Sequence, residues 1–485
     1  MEEIELKLQM STASADLLEA SGLLPDRPEP VRQRAVYFDT PDQALAAAGI
    51  SLRIRKAKGK RIQTIKTAGA SAAGLFARPE WEKPVEGDVP DLGDAIPVHA
   101  VLGPEVSQLA PSFTVEVARS TWTITEGDAT LEVVLDRGQV VIGDRQSTIC
   151  EMEIELKLGA PDALFAFARR VTEVAPARLG VLTKAERGYL LSREIRFAVK
   201  AEPVPLTAKM TADDAFRQIV QSCLRQFRLN EDLLFPARSP VALHQARVAL
   251  RRMRSAFSIF RPVLGVDGAR DLRDRLRDLA VDFGHARDLD VLLARSKPGS
   301  LQDRLRVERE AEYDRVERNV SSRTTHVLML DLVEWLSEGA WSTDPDTLDV
   351  RNLPAREFAA DALNRFRRKV RKDGRDLQHL EDDARHELRK DAKKLRYAAE
   401  FFGPLFDGKR ERPSQKSFLS ALAEIQDHLG ALNDLATAPR VLERLALADD
   451  RDASTLLAHG RKKELLAAAA DAHADLVDAD RYWRR

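Results

Sequence analysis

The hexapeptide Glu-Ile-Glu-Leu-Lys-Leu occurs twice, at residues 3–8 and 153–158, and its strict alternation limits the fold more than any other feature of the chain. In an extended strand, residues i and i+2 share a face. Glu3, Glu5 and Lys7 therefore oppose Ile4, Leu6 and Leu8, and in the second copy Glu151, Glu153, Glu155 and Lys157 oppose Met152, Ile154, Leu156 and Leu158. One such strand reads as a solvated face over a core. Here the pattern recurs. Arg53 and Arg55 alternate with Leu52 and Ile54, Lys66 closes Gln-Thr-Ile-Lys, and Arg78, Glu80 and Glu82 alternate with Pro79 and Trp81. Arg119 and Asp136 stand at or near the ends of two further apolar strands. Either one sheet has a wholly solvated charged face, or the charged faces converge on an enclosed polar interior while the apolar faces pack under helices. Residues 162–175, with Leu164, Phe165, Ala168, Val171 and Val174 at helical spacing, are a candidate cover.

Up to about residue 200 the chain consists of short alternating segments, at 51–55, 61–66, 112–125, 129–136 and 151–158. Lys58-Gly59-Lys60 and Asp136-Arg137-Gly138 punctuate them, which predicts an antiparallel β domain. Residues 200–206, Lys-Ala-Glu-Pro-Val-Pro-Leu, form a stiff connector. Beyond it, apolar residues recur every three or four positions almost to the end, so the second part is helical. At 485 residues, several domains with substantial cores are expected. The 76 basic and 77 acidic residues cancel to a net charge of -1, so local rather than global charge is informative. Cys150 and Cys223 are the only cysteines and show no zinc or disulfide spacing, which fits a reducing compartment. No basic, apolar leader opens the chain and no run of 18 apolar residues occurs, so the expectation is a cytoplasmic protein with no membrane partner.

A charged interior has a chemical logic. Carboxylates on adjacent strands can hold a hard divalent cation, and Arg and Lys opposite them can clamp phosphate oxygens. The ligand implied is a metal-bound polyanion.

Nine elements appear in the order expected of one family: Glu3-x-Glu5-x-Lys7, Tyr37-Phe-Asp-Thr, Leu52-Arg-Ile-Arg55, Thr64-Ile-Lys66, Arg78-x-Glu80-x-Glu82, Arg119, Asp136-Arg-Gly138, Glu151-x-Glu153-x-Glu155 and Lys184-Ala-Glu-Arg-Gly-Tyr189. The first part thereby resembles the CYTH family, the triphosphate tunnel metalloenzymes. The resemblance implies an eight-stranded antiparallel β-barrel, open as a tunnel, over residues 1–200, acting as a metal-dependent inorganic triphosphatase with Mg²⁺ or Mn²⁺. It implies metal ligands at Glu3, Glu5, Asp136, Glu151 and Glu153, and triphosphate contacts at Lys7, Arg53, Arg55, Lys66, Arg78, Arg119 and Lys184. Glu5, Lys7 and Glu153 are the catalytic residues on this reading. Lys157 extends the second hexapeptide beyond the family pattern.

In the helical part Leu243, Ala246, Leu250, Met253, Phe257 and Phe260 form an apolar seam, and His244, Arg247, Arg251 and Arg254 a basic one beside it. A shift of 142 residues repeats both: His386, Arg389, Lys393 and Arg396 beside Leu388, Ala392, Leu395, Ala399 and Phe402. Gly284, Asp288 and Leu289 likewise match Gly430, Asp434 and Leu435. An internal duplication into two four-helix bundles follows, with 201–207 as linker, 208–485 as the helical domain, and halves at about 208–345 and 355–485. Residues 365–372 add six basic residues in eight positions. A phosphate polymer is a natural partner for such a surface, although a duplicated bundle could also copy a solvated face.

This pattern resembles the CHAD domain, named for its histidines. The resemblance implies inorganic polyphosphate binding by His244, Arg247, Arg251, Arg252, Arg254, His386, Arg389, Lys390, Lys393, Lys394 and Arg396. Asn433 stands where the first half has Arg287, so unequal binding by the halves is expected. Metal ligation by the histidines is disfavoured within Arg-rich seams. The joint reading is hydrolysis of inorganic triphosphate or polyphosphate by the barrel, with polyphosphate held by the helices. The alternatives are an adenylate cyclase or thiamine triphosphatase of the same fold, or a non-catalytic polyphosphate-binding module. No nucleic-acid motif is recognised, which leaves that partner disfavoured.

Overall fold

The structure is a computed structural model describing residues 2–25, 28–67, 70–93, 95–193, 196–265, 269–448, 450, 453 and 462–484; the side chains of residues 2, 3 and 70–72 lie outside the description. The chain divides into two compact units, Met1–Arg196 with Val320–Glu338, and Phe197–Asn319 with Gly339–Arg485.

The first unit is built on β1 (Glu2–Gln9), β2 (Val31–Asp39), β3 (Ser51–Ala57), β4 (Lys60–Lys66), β5 (Ala70–Ala72), β6 (Leu75–Pro84), β7 (Ala110–Glu126), β8 (Ala129–Ile142), β9 (Arg145–Leu158) and β10 (Arg178–Leu179). The order β1-β9-β8-β7-β2-β3-β4-β6 closes through an antiparallel β1–β6 pairing, giving an eight-stranded antiparallel barrel with β5 and β10 as short additions. The two hexapeptide copies are neighbours in it: Glu5 stands opposite Glu155 and Lys7 opposite Glu153.

Local chemistry accounts for the turns. The β3–β4 hairpin turns at Lys58 and Gly59, both with positive φ (48° and 78°), the primed geometry that suits a two-residue hairpin. Asp136-Arg137-Gly138, read from sequence as punctuation, is instead mid-strand in β8. The glycine serves close packing there, since a Cβ at position 138 would lie 1.9 Å from the Glu116 carbonyl oxygen on β7.

The interior changes character along its length. Toward one end the inward positions Ala35, Tyr37, Phe113, Val115, Val117, Val140 and Ile149 form a buried apolar cluster with Tyr189, from the helix Lys184–Ser192, so that end is filled where the family resemblance implied an open tunnel. The Phe113 ring stacks on Tyr37 with centroids 4.7 Å apart and meets Tyr189 edge-on at 5.1 Å. Toward the other end the same strands carry the charged residues. Outside, Leu52, Ile54 and Ile65 pack under helices Ala44–Ala47 and Ile96–Leu102.

Helix Asp162–Val174 buries Leu164, Phe165, Phe167, Ala168 and Val171, as the cover expected from sequence, whereas Val174, placed on the same face, is exposed. Its own partner is helix Arg323–Glu338, a segment inside the stretch 208–345 that belongs to the barrel unit. Arg169 donates to Asp331 Oδ1 at 2.7 Å and pairs with Glu334. These side chains are a quarter to a third exposed, so Arg169→Ala is expected to cost only about 1 kcal/mol, and a double-mutant cycle with Asp331→Asn, read by urea unfolding, should return a coupling of about 0.5–1 kcal/mol.

The second unit contains eight long helices among the described residues: Ala212–Leu234, Pro240–Ile259, Arg270–Arg295 and Ser300–Val320, then Ala355–Asp373, Asp382–Phe402, Glu411–Arg444 and Lys462–Asp478. The first helices of the two sets are tied at their N-termini, Ala212 N–H donating to Leu353 O and Ala355 N–H to Met210 O, both at 2.8 Å. That reciprocal exchange is what a duplicated fold places about a two-fold axis. Phe260 stacks on Phe358 (4.6 Å) and packs near Phe402 (5.7 Å), so the halves share a core. No helix among the described residues is long and apolar enough to cross a membrane.

Candidate active site

Strand alternation brings the charged residues of the barrel into one cavity of about 610 Å³. Lys7, Arg53, Arg55, Lys66, Arg78, Arg119 and Lys184 all line it, from β1, β3, β4, β6, β7 and the start of helix Lys184–Ser192. Glu5, Glu80, Glu82, Glu132, Glu153 and Glu155 face them. Among the described lining residues Tyr37 is the one aromatic ring, its hydroxyl accepting from Arg53 at 3.3 Å, and Trp81 lies outside the lining.

Of the candidate metal ligands, Glu5 and Glu153 line the cavity, Asp136 and Glu151 are fully buried beneath it, and the Glu3 side chain lies outside the described residues. Asp136, Glu151 and Glu153 each bring one carboxylate oxygen within 4.8 Å of the others, an all-oxygen donor set that suits a hard divalent cation. The Lys184 ammonium lies among them, 2.7 Å from Asp136 Oδ2, 2.6 Å from Glu151 Oε1 and 2.9 Å from Glu153 Oε1. Its place is fixed by the helix it opens, whose Thr183 and Glu186 form a reciprocal cap.

The remaining charges are matched as closely. Lys7 pairs with Glu153 and lies 3.3 Å from Glu5, and Arg78 donates to Glu5 at 3.1 Å. Arg119 spans Asp136 (2.8 and 2.6 Å) and Glu153 (3.2 Å). Burial alone would lift the Glu153 carboxyl, but Lys184, Lys7 and Arg119 hold it well below the usual range. Burial likewise opposes the charge on Lys184, yet Asp136, Glu151 and Glu153 hold its ammonium well above its ordinary value. This is a preorganised array of fixed charges of both signs lining one cavity. Sequence reasoning gave no role to Glu155, Glu80, Glu82 or Glu132; the alternation that exposes Glu153 to the cavity also places Glu155 there.

The helical unit gathers a second set. Arg247, Arg251, Arg389 and Lys393 lie close enough to perturb one another, with His244 and Arg287 beside them. Burial and then Arg251, Arg389 and Arg247 push Lys393 down to about 6; burial and then Arg251 push Arg247 to about 10; burial and then Arg287, Arg251 and Arg247 push His244 to about 4. Arg251 Nε donates to the Tyr397 hydroxyl of the other half at 2.5 Å. His244 Nδ1 and Arg389 Nε are buried without a hydrogen-bond partner among the described residues. Asp288 and Asp434, the matched aspartates of the repeat, act on this group as well.

The other residues of the two basic seams go elsewhere. Arg252 is buried in the bundle, donating to Gln226 Oε1 at 2.9 Å over the Phe401 ring. Arg254 sits with Arg273 and Arg277. Lys390 pairs with Glu387 (2.5 Å), Lys394 with Asp391 (3.1 Å) and Arg396 with Glu400 (2.7 Å), while exposed His386 meets Asn433 at 3.1 Å.

Comparison with known proteins agrees with this division. A CYTH domain model matches residues 1–189 and a CHAD domain model residues 218–443. The chain is 30% identical over 202 residues to the inorganic triphosphatase of Haemophilus influenzae, a match covering 39% of this chain and 55% of that protein, so the chain spans about half the length of that curated relative. An uncharacterized protein of Mycobacterium tuberculosis is 27% identical over 450 residues, 82% of each chain. The crystal structure of the CHAD domain from the plant Ricinus communis is 29% identical and covers 59% of this chain and 97% of its own, with a TM-score of 0.49. The chain is thus a two-domain protein that carries a CYTH domain followed by a CHAD domain.

Proposed function

We propose that the barrel is a metal-dependent phosphohydrolase acting on inorganic triphosphate or polyphosphate, and that the helical domain binds polyphosphate. The observation that carries the first part is the single cavity in which eight basic side chains from six strands and one helix, Lys157 of β9 among them, face six carboxylates. The cations would hold the phosphate oxygens, with the guanidinium groups of Arg53, Arg55, Arg78 and Arg119 suited to bidentate contact. Asp136, Glu151 and Glu153, with Glu5, would hold a divalent cation if the Lys184 ammonium that now neutralises the first three turns toward the phosphates, and the bound cation would neutralise phosphate charge. Glu153 and Glu5 then orient the attacking water, while Lys7 and Arg119 stabilise the charge developing on the phosphoryl oxygens. The products are orthophosphate and a chain shorter by one phosphate. Residues 1–200 together with helix Arg323–Glu338 form the hydrolytic domain on this reading, 201–207 the linker and the remainder of 208–485 the polymer-binding domain.

Phosphate release from tripolyphosphate, ATP and thiamine triphosphate, each with Mg²⁺, Mn²⁺ or EDTA, tests the reading. Metal-dependent release confined to tripolyphosphate is the expected result. Release from a nucleotide alone would move the assignment to the nucleotide enzymes of this fold, and no release with any substrate would leave a binding module.

Polyphosphate binding by the helices is supported by the Arg247, Arg251, Arg389 and Lys393 cluster and by the unpartnered His244 and Arg389 atoms. It carries a pH signature. Lys393, pushed to about 6, is largely neutral at pH 8, and a polyanion favours its protonated form. Long-chain polyphosphate binding is therefore expected to tighten as pH falls from 8 to 5, by up to about tenfold per unit with uptake of up to about one proton. Titration calorimetry in two buffers of different ionisation enthalpy measures that uptake. The unliganded fold responds oppositely: a basic group with a depressed folded value favours the unfolded state as pH falls from its unfolded value toward its folded one.

A further inference from the structure

The apolar cluster around Tyr189 fills one end of the barrel interior, so the charged cavity has a floor, with Lys184 rising from it. At the other end a second cavity of about 450 Å³ shares Arg55, Arg119 and Glu132 with the first. Its outer lining includes Lys58 and Lys60, the residues flanking Gly59 at the tip of the β3–β4 hairpin. Both lysines are exposed, and neither has a carboxylate within 4.0 Å among the described residues. Deeper cations such as Lys7, Arg119 and Lys184 are already balanced by carboxylates, whereas these two stand uncompensated at the exit from the site.

We propose that the barrel takes a linear polyphosphate by one chain end, the terminal phosphates descending to Lys7 and Lys184 while the phosphates that follow run out past Arg55 and Arg119 and are held at the rim by Lys58 and Lys60. The inference rests on the phosphohydrolase reading and specifies its mode. A socket with an apolar floor admits an internal stretch of chain only as a loop, which would bring two polyanionic strands side by side in the same cavity. An entering end needs only one. Water oxygen then bonds to the terminal phosphorus, the bridging P–O bond to the next phosphate breaks, and that phosphate keeps the electron pair. The attacking water's proton leaves to a carboxylate, orthophosphate departs, and the chain is one phosphate shorter.

The test uses the full-length protein, long-chain inorganic polyphosphate, the same polymer with both ends blocked as phosphoramidates, and tripolyphosphate as internal reference. ³¹P NMR of the products should show orthophosphate with gradually shortening chains, and the blocked polymer should persist. In K58N/K60Q the KM for the unblocked polymer should rise about tenfold, its dependence on salt should fall, and kcat/KM for tripolyphosphate should stay unchanged. Asn at 58 tolerates the left-handed backbone that Lys58 adopts (φ 48°), so the variant removes charge without backbone strain. Mid-length fragments, turnover of the blocked polymer, long chains left intact while tripolyphosphate is cleaved, or a polymer KM unmoved by K58N/K60Q would each overturn the inference. An equal loss on tripolyphosphate would do so too, because it would place the two lysines within the triphosphate site. A wild type inert toward tripolyphosphate fails the phosphohydrolase reading itself, and this inference with it.

Discussion

Glu153→Gln is expected to lower kcat for tripolyphosphate about a thousandfold, with KM changed less than about tenfold. The substitution keeps the shape of the side chain and removes the charge on which three cations converge: Lys7, Lys184 at 2.9 Å and Arg119 at 3.2 Å. Those cations retain other partners, Glu5 for Lys7, Glu151 for Lys184 and Asp136 for Arg119, so the phosphate-binding array survives. What is lost is a carboxylate held ionised by its neighbours and shared between the candidate cation site and the substrate cavity. Steady-state phosphate release, with a thermal melt to confirm folding, reads the effect. Turnover within about threefold of wild type would remove Glu153 from the chemistry and direct attention to Glu155, its neighbour on the same face of β9. The cluster also sets the acid limit of the barrel. Asp136 and Glu153 have folded-state values below their unfolded ones, so their contribution is present above about pH 4.5 and is lost as pH falls toward the folded values.

The second large effect is expected in the helical domain. Charge reversal at Arg251 and Arg389 together should weaken long-chain polyphosphate binding about a thousandfold at low salt and flatten its salt dependence. The two residues come from opposite halves of the duplication and act on each other and on Lys393, so reversing both replaces the centre of the positive field with repulsion. Arg254→Glu is the informative control. Arg254 continues the heptad-like spacing of the same seam, but it lies with Arg273 and Arg277, and its reversal should cost less than about fivefold. Equal losses from both variants would mean that the polymer is bound diffusely over basic surface.

Strand alternation made the barrel site legible, because period-two spacing fixes which side chains share a face whatever the tertiary context. It put Lys7, Arg53, Arg55, Lys66 and Arg78 on charged strand faces, and all five line the cavity; Lys157, on the same face as Glu153, also lines it although no role was assigned to it, and Lys184, which opens a helix, was reached only through the family resemblance. Alternation does not reveal depth. Asp136 and Glu151 share the inward face with Glu153, but the β8–β9 register and the position of helix Lys184–Ser192 place them beneath Lys184 instead of at the open surface. Gly138 misled for a related reason. A glycine signals a turn or a close approach with equal force, and only the neighbouring strand decides between them. In the helical part, spacing found the repeat but not the partner of each face, so Arg252, one residue from Arg251, proved to be turned into the bundle. Helix Arg323–Glu338 falls in the stretch where apolar residues recur every three or four positions, but periodicity carries no information about which apolar surface a helix covers.

That helix bears on how the two domains can be separated. The chain passes between the compact units near residues 196, 319 and 338, so one wall of the barrel unit is encoded inside the helical half of the gene. A stop codon after residue 200 would yield a barrel without the helix Arg323–Glu338 that packs on helix Asp162–Val174 and β10, and the surface left open there would favour aggregation whatever the integrity of its charged interior. A protease nick in the connector 197–206 would have a different outcome: the severed barrel would stay seated on a helix still joined to the rest of the polypeptide, and the two fragments would co-purify until denatured. An intact barrel unit therefore has to carry residues 320–338 with it, although they are encoded more than a hundred residues beyond its last strand.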